Sequence, residues 1–383
     1  MDRQSDREIG GEWVGRLRAW ATELGFASLG VADVDLSDAE PGLERWLAEG
    51  FHGEMDYMVR HGLRRARPAE LVPGTVRAVM VALDYAPRDP VWVERAWATL
   101  ADGERAYVSR YALGRDYHKV VRGRLAQLAE RLQAAVGPFG WRAFCDSGPV
   151  MEVELARRAG LGWRGKHTLL LARDGGSMRF LGTLYTDLPL PVDAPVDDHC
   201  GRCTACIDAC PTAAIVAPYR LDARRCIAYL TIEAKGAIPP ALREAIGNRI
   251  YGCDDCQLAC PWNKFAAQAA HPDFAPRHGL DTGSLVELFA WGPETFELRM
   301  QGSAIRRIGH ERWLRNIAVA LGNAPRSPAV VAALRAREHD PSGLVAEHVR
   351  WALARHGEAP ADCVSAPTTA RTGSPAPRPA SST

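Results

Sequence analysis

Apolar residues recur at helical spacing near the start of the chain, where Trp13, Leu17, Trp20 and Leu24 fall on one face, and the following ASLGVADV reads as a short buried strand. Farther on, RAVMVALDY (77–85), RAFCD (142–146), TLLLA (168–172) and FLGTLYTD (180–187) read as strands, while residues 119–136 carry the stripe of an amphipathic helix. Residues 1–190 therefore read as an α/β domain. The proline-rich stretch over residues 188–198 reads as a linker into a cysteine-dense segment, 191–281. From 282 to 356 the pattern is helical, with breaks at Gly309, Gly322, Pro325, Pro328, Pro341 and Gly343, and reads as an all-α, HEAT-like domain of paired short helices. Residues 357–383, rich in Pro, Ala, Ser and Thr, read as a disordered tail that includes Cys363.

Composition narrows this picture. With 383 residues, 47% of them hydrophobic, the chain can bury a large core, and a net charge of +1 advertises no bulk attraction to nucleic acid or membrane. Any charged partner must meet a local patch. The N-terminus is charged from its second residue without an apolar core, and no uncharged apolar run reaches the roughly 18 residues of a membrane span, so the expected location is the cytoplasm, with no membrane contact. In that reducing compartment clustered thiols point to metal or catalytic chemistry rather than disulfides.

Cys200, Cys203, Cys206 and Cys210-Pro211 have the bacterial ferredoxin spacing C-x2-C-x2-C-x3-C-P, in which the fourth cysteine reaches across to a second cluster. A zinc site needs four ligands and has no use for the third evenly spaced cysteine plus Cys-Pro. The second motif, Cys253, Cys256 and Cys260-Pro261, has Ile250 where a further cysteine would stand, and Cys226 is the remaining candidate nearby. We therefore expect a bacterial ferredoxin-like two-cluster 4Fe-4S domain. One cluster is assigned to Cys200, Cys203, Cys206 and Cys260, the other to Cys210, Cys226, Cys253 and Cys256. The alternative for Cys226 is a small buried hydrophobe, and Cys145, at the end of an apolar strand, reads as core.

Paired clusters move single electrons toward a partner or a further cofactor. The α/β region has neither G-x-G-x-x-G after a strand nor a P-loop, and Asp116-Tyr117-His118 begins an Asp-x-His-x-x-Gly loop that Val121 breaks. The run Asp146-Ser147-Gly148-Pro149-Val150-Met151-Glu152, the run from Gly160-Leu161-Gly162-Trp163-Arg164-Gly165-Lys166-His167-Thr168 to Leu170, the segment Gly114-Arg115-Asp116-Tyr117-His118 and the two cysteine motifs together resemble epoxyqueuosine reductase over about residues 10–356. The resemblance implies a base-off cobalamin in the N-terminal domain beside two 4Fe-4S clusters, and reduction of epoxyqueuosine to queuosine at the wobble position of tRNA. It implies a monomer fed by a small external electron donor.

By the same resemblance Asp146 is the proton donor, a role best served by a carboxyl whose pKa burial raises. Read from the residues alone, Asp146 and Ser147 equally suit an N-cap before Pro149. Tyr117, His118, Gly165, Lys166, His167 and Thr168 match segments around the corrinoid, His167 standing where the family usually has Asn. Thr231, with Glu233, matches a stretch near cofactor and substrate. Residues 303–356 hold nine arginines against four acids, so Arg306, Arg307, Arg312 and Arg315 are the expected tRNA contacts; the alternative is a solvated basic face. Three rival functions are a dehalogenase-like corrinoid reductase of a small molecule, a two-cluster electron carrier and a redox sensor. The basic C-terminus weighs against the first, and the large N-terminal region against the second.

Overall fold

The apolar run at residues 77–85 lacks polar alternation because the strand it forms is covered on both faces. The computed structural model describes residues 3–266 and 271–359, so Cys363 and nearly all of the expected disordered tail lie outside the described residues. Helix α1 (Arg3–Glu23) leads to strand β1 (Ser28–Ala32) and β2 (Arg77–Asp84); helix α2 (Tyr117–Val136), β3 (Trp141–Phe144), helix α3 (Glu152–Arg158) and β4 (Arg179–Thr186) follow. The four strands form one sheet in the order β1-β2-β4-β3. Every pairing is antiparallel, with Val31 opposite Val79, Val81 opposite Gly182 and Ala143 opposite Leu184.

Val79, Val81 and Leu83 of β2 face a core with Leu17 of α1 and Leu125 of α2. The alternate residues Ala78, Met80 and Ala82 face Leu155 and Ala156 of α3. Each larger side chain so covered contributes roughly 1.5–3 kcal/mol. The sheet is thus sandwiched between helices, and its two covered faces explain why helices and strands alternate here without a parallel crossover.

A short parallel pairing joins Tyr107–Val108 to Arg249–Tyr251. Around it Ala106, Val108 and Leu113 share one core with Ile250, Phe289, Trp313 and Leu314. Packing therefore crosses the divisions read near residues 190 and 281, and that continuity positions the site.

At the C-terminal end, α4 (Gly309–Asn323) and α5 (Pro328–Arg335) both pack on α6 (Gly343–Arg355). The hydroxyls of Ser327 and Ser342 accept from Val330 N and Val345 N, capping α5 and α6. Gly322 is not the break expected of it. It lies inside α4, where a Cβ would stand 2.4 Å from the Trp351 ring and 3.0 Å from Ala352, so the residue lets two helices approach. No helix among the described residues is long and apolar enough to cross a membrane.

Candidate active site and cluster cavities

Cys200, Cys203, Cys206 and Cys260 line one cavity together with Lys166, His167, Leu171 and Trp262. Cys210, Cys226, Cys253 and Cys256 line another, of about 340 Å³, with Tyr85, Ser109, Tyr111, Val153, His167 and Thr168 in its wall. These are the two quartets expected from the motifs, and Cys226 stands with the second. Short helices at Ala205–Asp208 and Asp255–Leu258 carry Cys206 and Cys256. Buried Asp254 anchors the second loop, accepting from Tyr107 Oη (2.9 Å), Arg110 N (2.7 Å) and the Ser109 hydroxyl. Among the described residues no three His, Cys, Asp or Glu side chains converge on a point that a single metal ion could share. Thiolates on one zinc ion would stand about 3.8 Å apart. The eight thiols line two cavities, four to each.

The chemistry of the donors agrees. Burial, with the neighbouring thiols, pushes Cys260 up to about 11 and raises Cys206. Such groups ionise together only against strong positive charge, which iron supplies. Cys145 is buried in the sheet core, as read from the sequence.

Asp146 follows β3 in a left-handed conformation (φ 56°), rare for a residue with a Cβ. It caps no helix, since α3 starts only at Glu152. Its amide donates to Glu152 Oε2 at 2.8 Å, and this bond holds the turn. The carboxylate faces open space, its side chain 61% accessible. Oδ2 accepts from the Tyr117 hydroxyl and lies 3.2 Å from His118 Nε2.

The imidazole of His118 is buried, with Nδ1 2.7 Å from Asp116 Oδ1 and Nε2 2.9 Å from Arg307 Nη1. Asp116 caps α2 through His118 N and lies 3.4 Å from Arg307. Tyr117 stacks between His118 (3.9 Å) and Phe180 (4.3 Å) and meets Tyr111 edge-on at 5.7 Å, which ties Asp146 to the wall of the second cysteine cavity.

The electrostatics depart from expectation at Asp146. Enclosure by the walls raises its carboxyl, but hydrogen bonds from His118 and Tyr117 and the Arg307 guanidinium outweigh it and hold the group below the ordinary range. Burial lowers His118, yet its bonds to Asp116 and Asp146 prevail and raise it. Burial and then the charge of Asp146 push Glu152 up to about 8. The proton expected on Asp146 is therefore kept by its neighbours.

Several predicted residues have other uses. Thr231 is fully buried; its hydroxyl donates to Ile227 O (2.7 Å) and accepts from Gly252 N (2.9 Å), so it does not reach a cofactor. Lys166 Nζ bonds Gly201 O (2.7 Å) and Cys203 O (2.9 Å), bracing the cysteine loop rather than a corrinoid. Arg315 is fully buried and holds the carbonyls of Leu230, Ala234 and Gly236. It is not available to RNA. Arg312 likewise points all its donors at backbone carbonyls. Arg307 belongs to the Asp146 group, and Arg306 alone of the four is both exposed and turned outward, paired with Glu297. Arg326, Arg335 and Arg337 are also met by nearby acids.

Glu152 and the roles of Asp116 and Arg307 at the site escaped the sequence reading, as did Tyr57, which donates to half-buried Glu233. Glu152 carried one signal, its place at the end of the Asp146 run. Asp116 carried another, two residues before His118, but for Arg307 none existed, because 189 residues separate it from His118.

A second cavity, of about 740 Å³, shares Val153, Thr168 and Leu221 with the cysteine cavity. At about 740 Å³ it lies toward the upper end of the roughly 300–1,000 Å³ range of ordinary small-molecule sites. Arg65 lines the larger one, its buried Nε without a partner. A large ligand rich in amide and phosphate acceptors, such as a corrinoid, fits such a wall.

The family model described as "Epoxyqueuosine reductase QueG, DUF1730" matches residues 65–147, and that for a 4Fe-4S double cluster binding domain matches residues 199–263. The epoxyqueuosine reductase of Pseudomonas aeruginosa is 61% identical over 343 residues, covering 89% of this chain and 94% of that protein. Its Escherichia coli counterpart is 53% identical over 349 residues, covering 91% of each. A crystal structure of epoxyqueuosine reductase with a tRNA-Tyr epoxyqueuosine-modified tRNA stem loop superposes with a TM-score of 0.81 at 29% identity, covering 91% of both chains. A Bacillus subtilis epoxyqueuosine reductase with its catalytic aspartate loop swung out of the active site gives 0.79 at 28% identity, covering 90% of this chain and 91% of that one.

Proposed function

We propose, from the premise that this chain belongs to the epoxyqueuosine reductase family, that it reduces epoxyqueuosine to queuosine in tRNA, as a cytoplasmic monomer served by a small external electron donor. The observation that carries the reading is the Asp146 carboxylate, held in a left-handed turn by Glu152, exposed, bonded by Tyr117 and His118, and linked through Tyr117 to Tyr111 in the wall of the cysteine-lined cavity.

The reaction takes up two electrons and two protons: both carbon–oxygen bonds of the epoxide break, a carbon–carbon double bond forms, and the oxygen leaves as water. A base-off corrinoid, held by Thr168, Val153 and Arg65 in the cavity beside the second quartet, would supply the reducing cobalt, with two 4Fe-4S clusters on the eight cysteines supplying its electrons singly.

The chain's own part is the protons. Asp146 would hand a proton from Oδ2 to the oxygen as its negative charge develops. His118, which favours its charged form, would refill Asp146 from Nε2 across 3.2 Å. Once neutral, it would keep Nδ1–H on Asp116 while Nε2 accepts from Arg307, so that losing the proton leaves no buried group unpaired. Two protons per turnover need such a refill. The swung-out loop of the B. subtilis protein makes the Glu152 bond important here, because that bond keeps the carboxylate inward.

The RNA would meet exposed Arg306 and Arg307, with Glu233 and its hydrogen-bond partner Tyr57 near Arg307 and Asp146. Anaerobic incubation with epoxyqueuosine-bearing tRNA and a chemical reductant tests the whole. Queuosine should accumulate by nucleoside mass spectrometry, and Asp146→Asn should slow it by about 10²–10⁴-fold with iron and cobalt contents unchanged. An iron- and cobalt-loaded parent protein that forms no queuosine overturns the function. Parent-like turnover by Asp146→Asn overturns the proton role.

A further inference from the structure

His167 is 3% exposed and belongs to the walls of both cysteine cavities. Its environment decides which nitrogen carries the hydrogen. The turn 165–169 closes through Gly165 N to Leu169 O (2.8 Å) and Thr168 N to Gly165 O (2.8 Å), with Thr168 left-handed at φ 74°. In that turn Leu169 N–H donates to His167 Nδ1 at 3.1 Å, so Nδ1 is an acceptor and the hydrogen of the neutral ring sits on Nε2. The ring cannot swing aside. A Cβ at Gly165 would meet His167 Cε1 at 2.7 Å, which shows how closely that backbone presses on the imidazole.

Nε2 nevertheless has no partner among the described residues, although it is buried. An orphaned N–H of this kind costs roughly 1–3 kcal/mol unless something accepts from it. Lys166, its neighbour in the wall around Cys200, Cys203, Cys206 and Cys260, already has its ammonium on two carbonyls. On the same side Trp163, 1% exposed and packed with Cys260 and Cys200, also has a buried Nε1–H without a partner. Two unmatched donors beside one thiol quartet call for acceptors that the polypeptide does not provide.

We propose that His167 Nε2–H donates a hydrogen bond to a sulfur of the cluster held by Cys200, Cys203, Cys206 and Cys260, and that, standing between the two cavities, it sets the gap in potential between the two clusters. This rests on reading the quartets as cluster ligands. A reduced cluster carries one more negative charge than an oxidised one, so a fixed N–H donor stabilises the reduced form and raises its potential.

The test is a redox titration of the intact, cluster-loaded protein followed by electron paramagnetic resonance. His167→Leu, which fills the space without a donor, should lower one cluster's reduction equilibrium constant about tenfold, 59 mV for a one-electron couple. His167→Gln, whose amide nitrogen reaches to the position of Nε2, should titrate near the parent. Parent-like potentials in His167→Leu with about eight irons per chain overturn the proposal while leaving the clusters standing. If His167→Leu fails to assemble clusters, the parent protein labelled with ¹⁵N-histidine decides the matter: a hyperfine coupling from imidazole nitrogen to a reduced cluster supports the bond, and its absence overturns it. A parent protein without iron removes the cluster reading itself, a result distinct from an unmoved potential.

Discussion

Replacing Glu152 by Gln changes one atom and removes one titration. In the folded chain burial and the Asp146 charge push this carboxyl up to about 8, against an ordinary value of 4.5. The folded state therefore holds the proton more tightly than the unfolded state does. The stability tied to it is fully present below pH 4.5, falls as the unfolded chain begins to ionise, and is lost by pH 8, where the folded group ionises as well. At 1.36 kcal/mol per pH unit the loss is about 3 kcal/mol at pH 7 and approaches about 5 kcal/mol above pH 8. Gln keeps an oxygen for Asp146 N and a shape that fits beside Thr183, yet never ionises. Glu152→Gln should therefore match the parent near pH 4.5 and exceed it by about 3 kcal/mol at pH 7. The measurement is anaerobic urea unfolding followed by tryptophan fluorescence at equal cluster occupancy, comparing variant with parent at each pH and requiring equal m-values. Turnover should also decline less steeply for the variant above pH 8, where the parent would set two carboxylates against each other. A stability difference that stays constant from pH 5 to 8 refutes the buried-proton account.

Arg315→Ala should destabilise the fold by at least about 3 kcal/mol, because three buried carbonyls lose their donor, whereas Arg306→Ala on the surface should stay within about 0.5 kcal/mol; urea midpoints that coincide for the two variants would restore the expectation that both face RNA. Cys226→Ala should leave about four of about eight irons per chain after anaerobic reconstitution, and Cys145→Ala all of them. An unchanged iron content in Cys226→Ala would make that thiol the small buried hydrophobe that its sequence also permits.

The parts of this structure that could be read in advance are those where one periodicity or one local spacing decides. The strand expected at 77–85 is Arg77–Asp84, and the helix expected at 119–136 begins two residues earlier, at Tyr117, because Asp116 caps it. The grouping of the cysteines followed ferredoxin-like spacing for seven of them, with Cys226 taken as the remaining candidate nearby, and each group of four lines one cavity. TLLLA was legible only in part: apolar content suggested a strand, but only Leu170–Leu171 form one, with Ala172 adding a single bridge to Gly176, since Thr168 turns left-handed where the chain bends around His167. The arginines failed for a different reason. Charge along a sequence does not say whether a guanidinium meets solvent or carbonyls, and Arg315 differs from Arg306 only in what the fold puts next to it. Likewise nothing local marks Asp146 for a lowered pKa, because Arg307, His118 and Tyr117 come from remote segments.

That remoteness bears on how the enzyme works as a unit. Arg307 stands in the turn that enters α4, while Arg315 and Asn316 of α4 hold carbonyls at Leu230, Thr231, Ala234, Gly236 and Ile250, the stretches that carry or flank Cys226 and Cys253. The turn and the helix it enters thus touch both His118 and the scaffold of the second quartet. In the proposed reaction the proton goes to the epoxide oxygen while the electrons reach its carbons, and a turn and helix that brace both His118 and the second quartet would keep the two deliveries in fixed geometry.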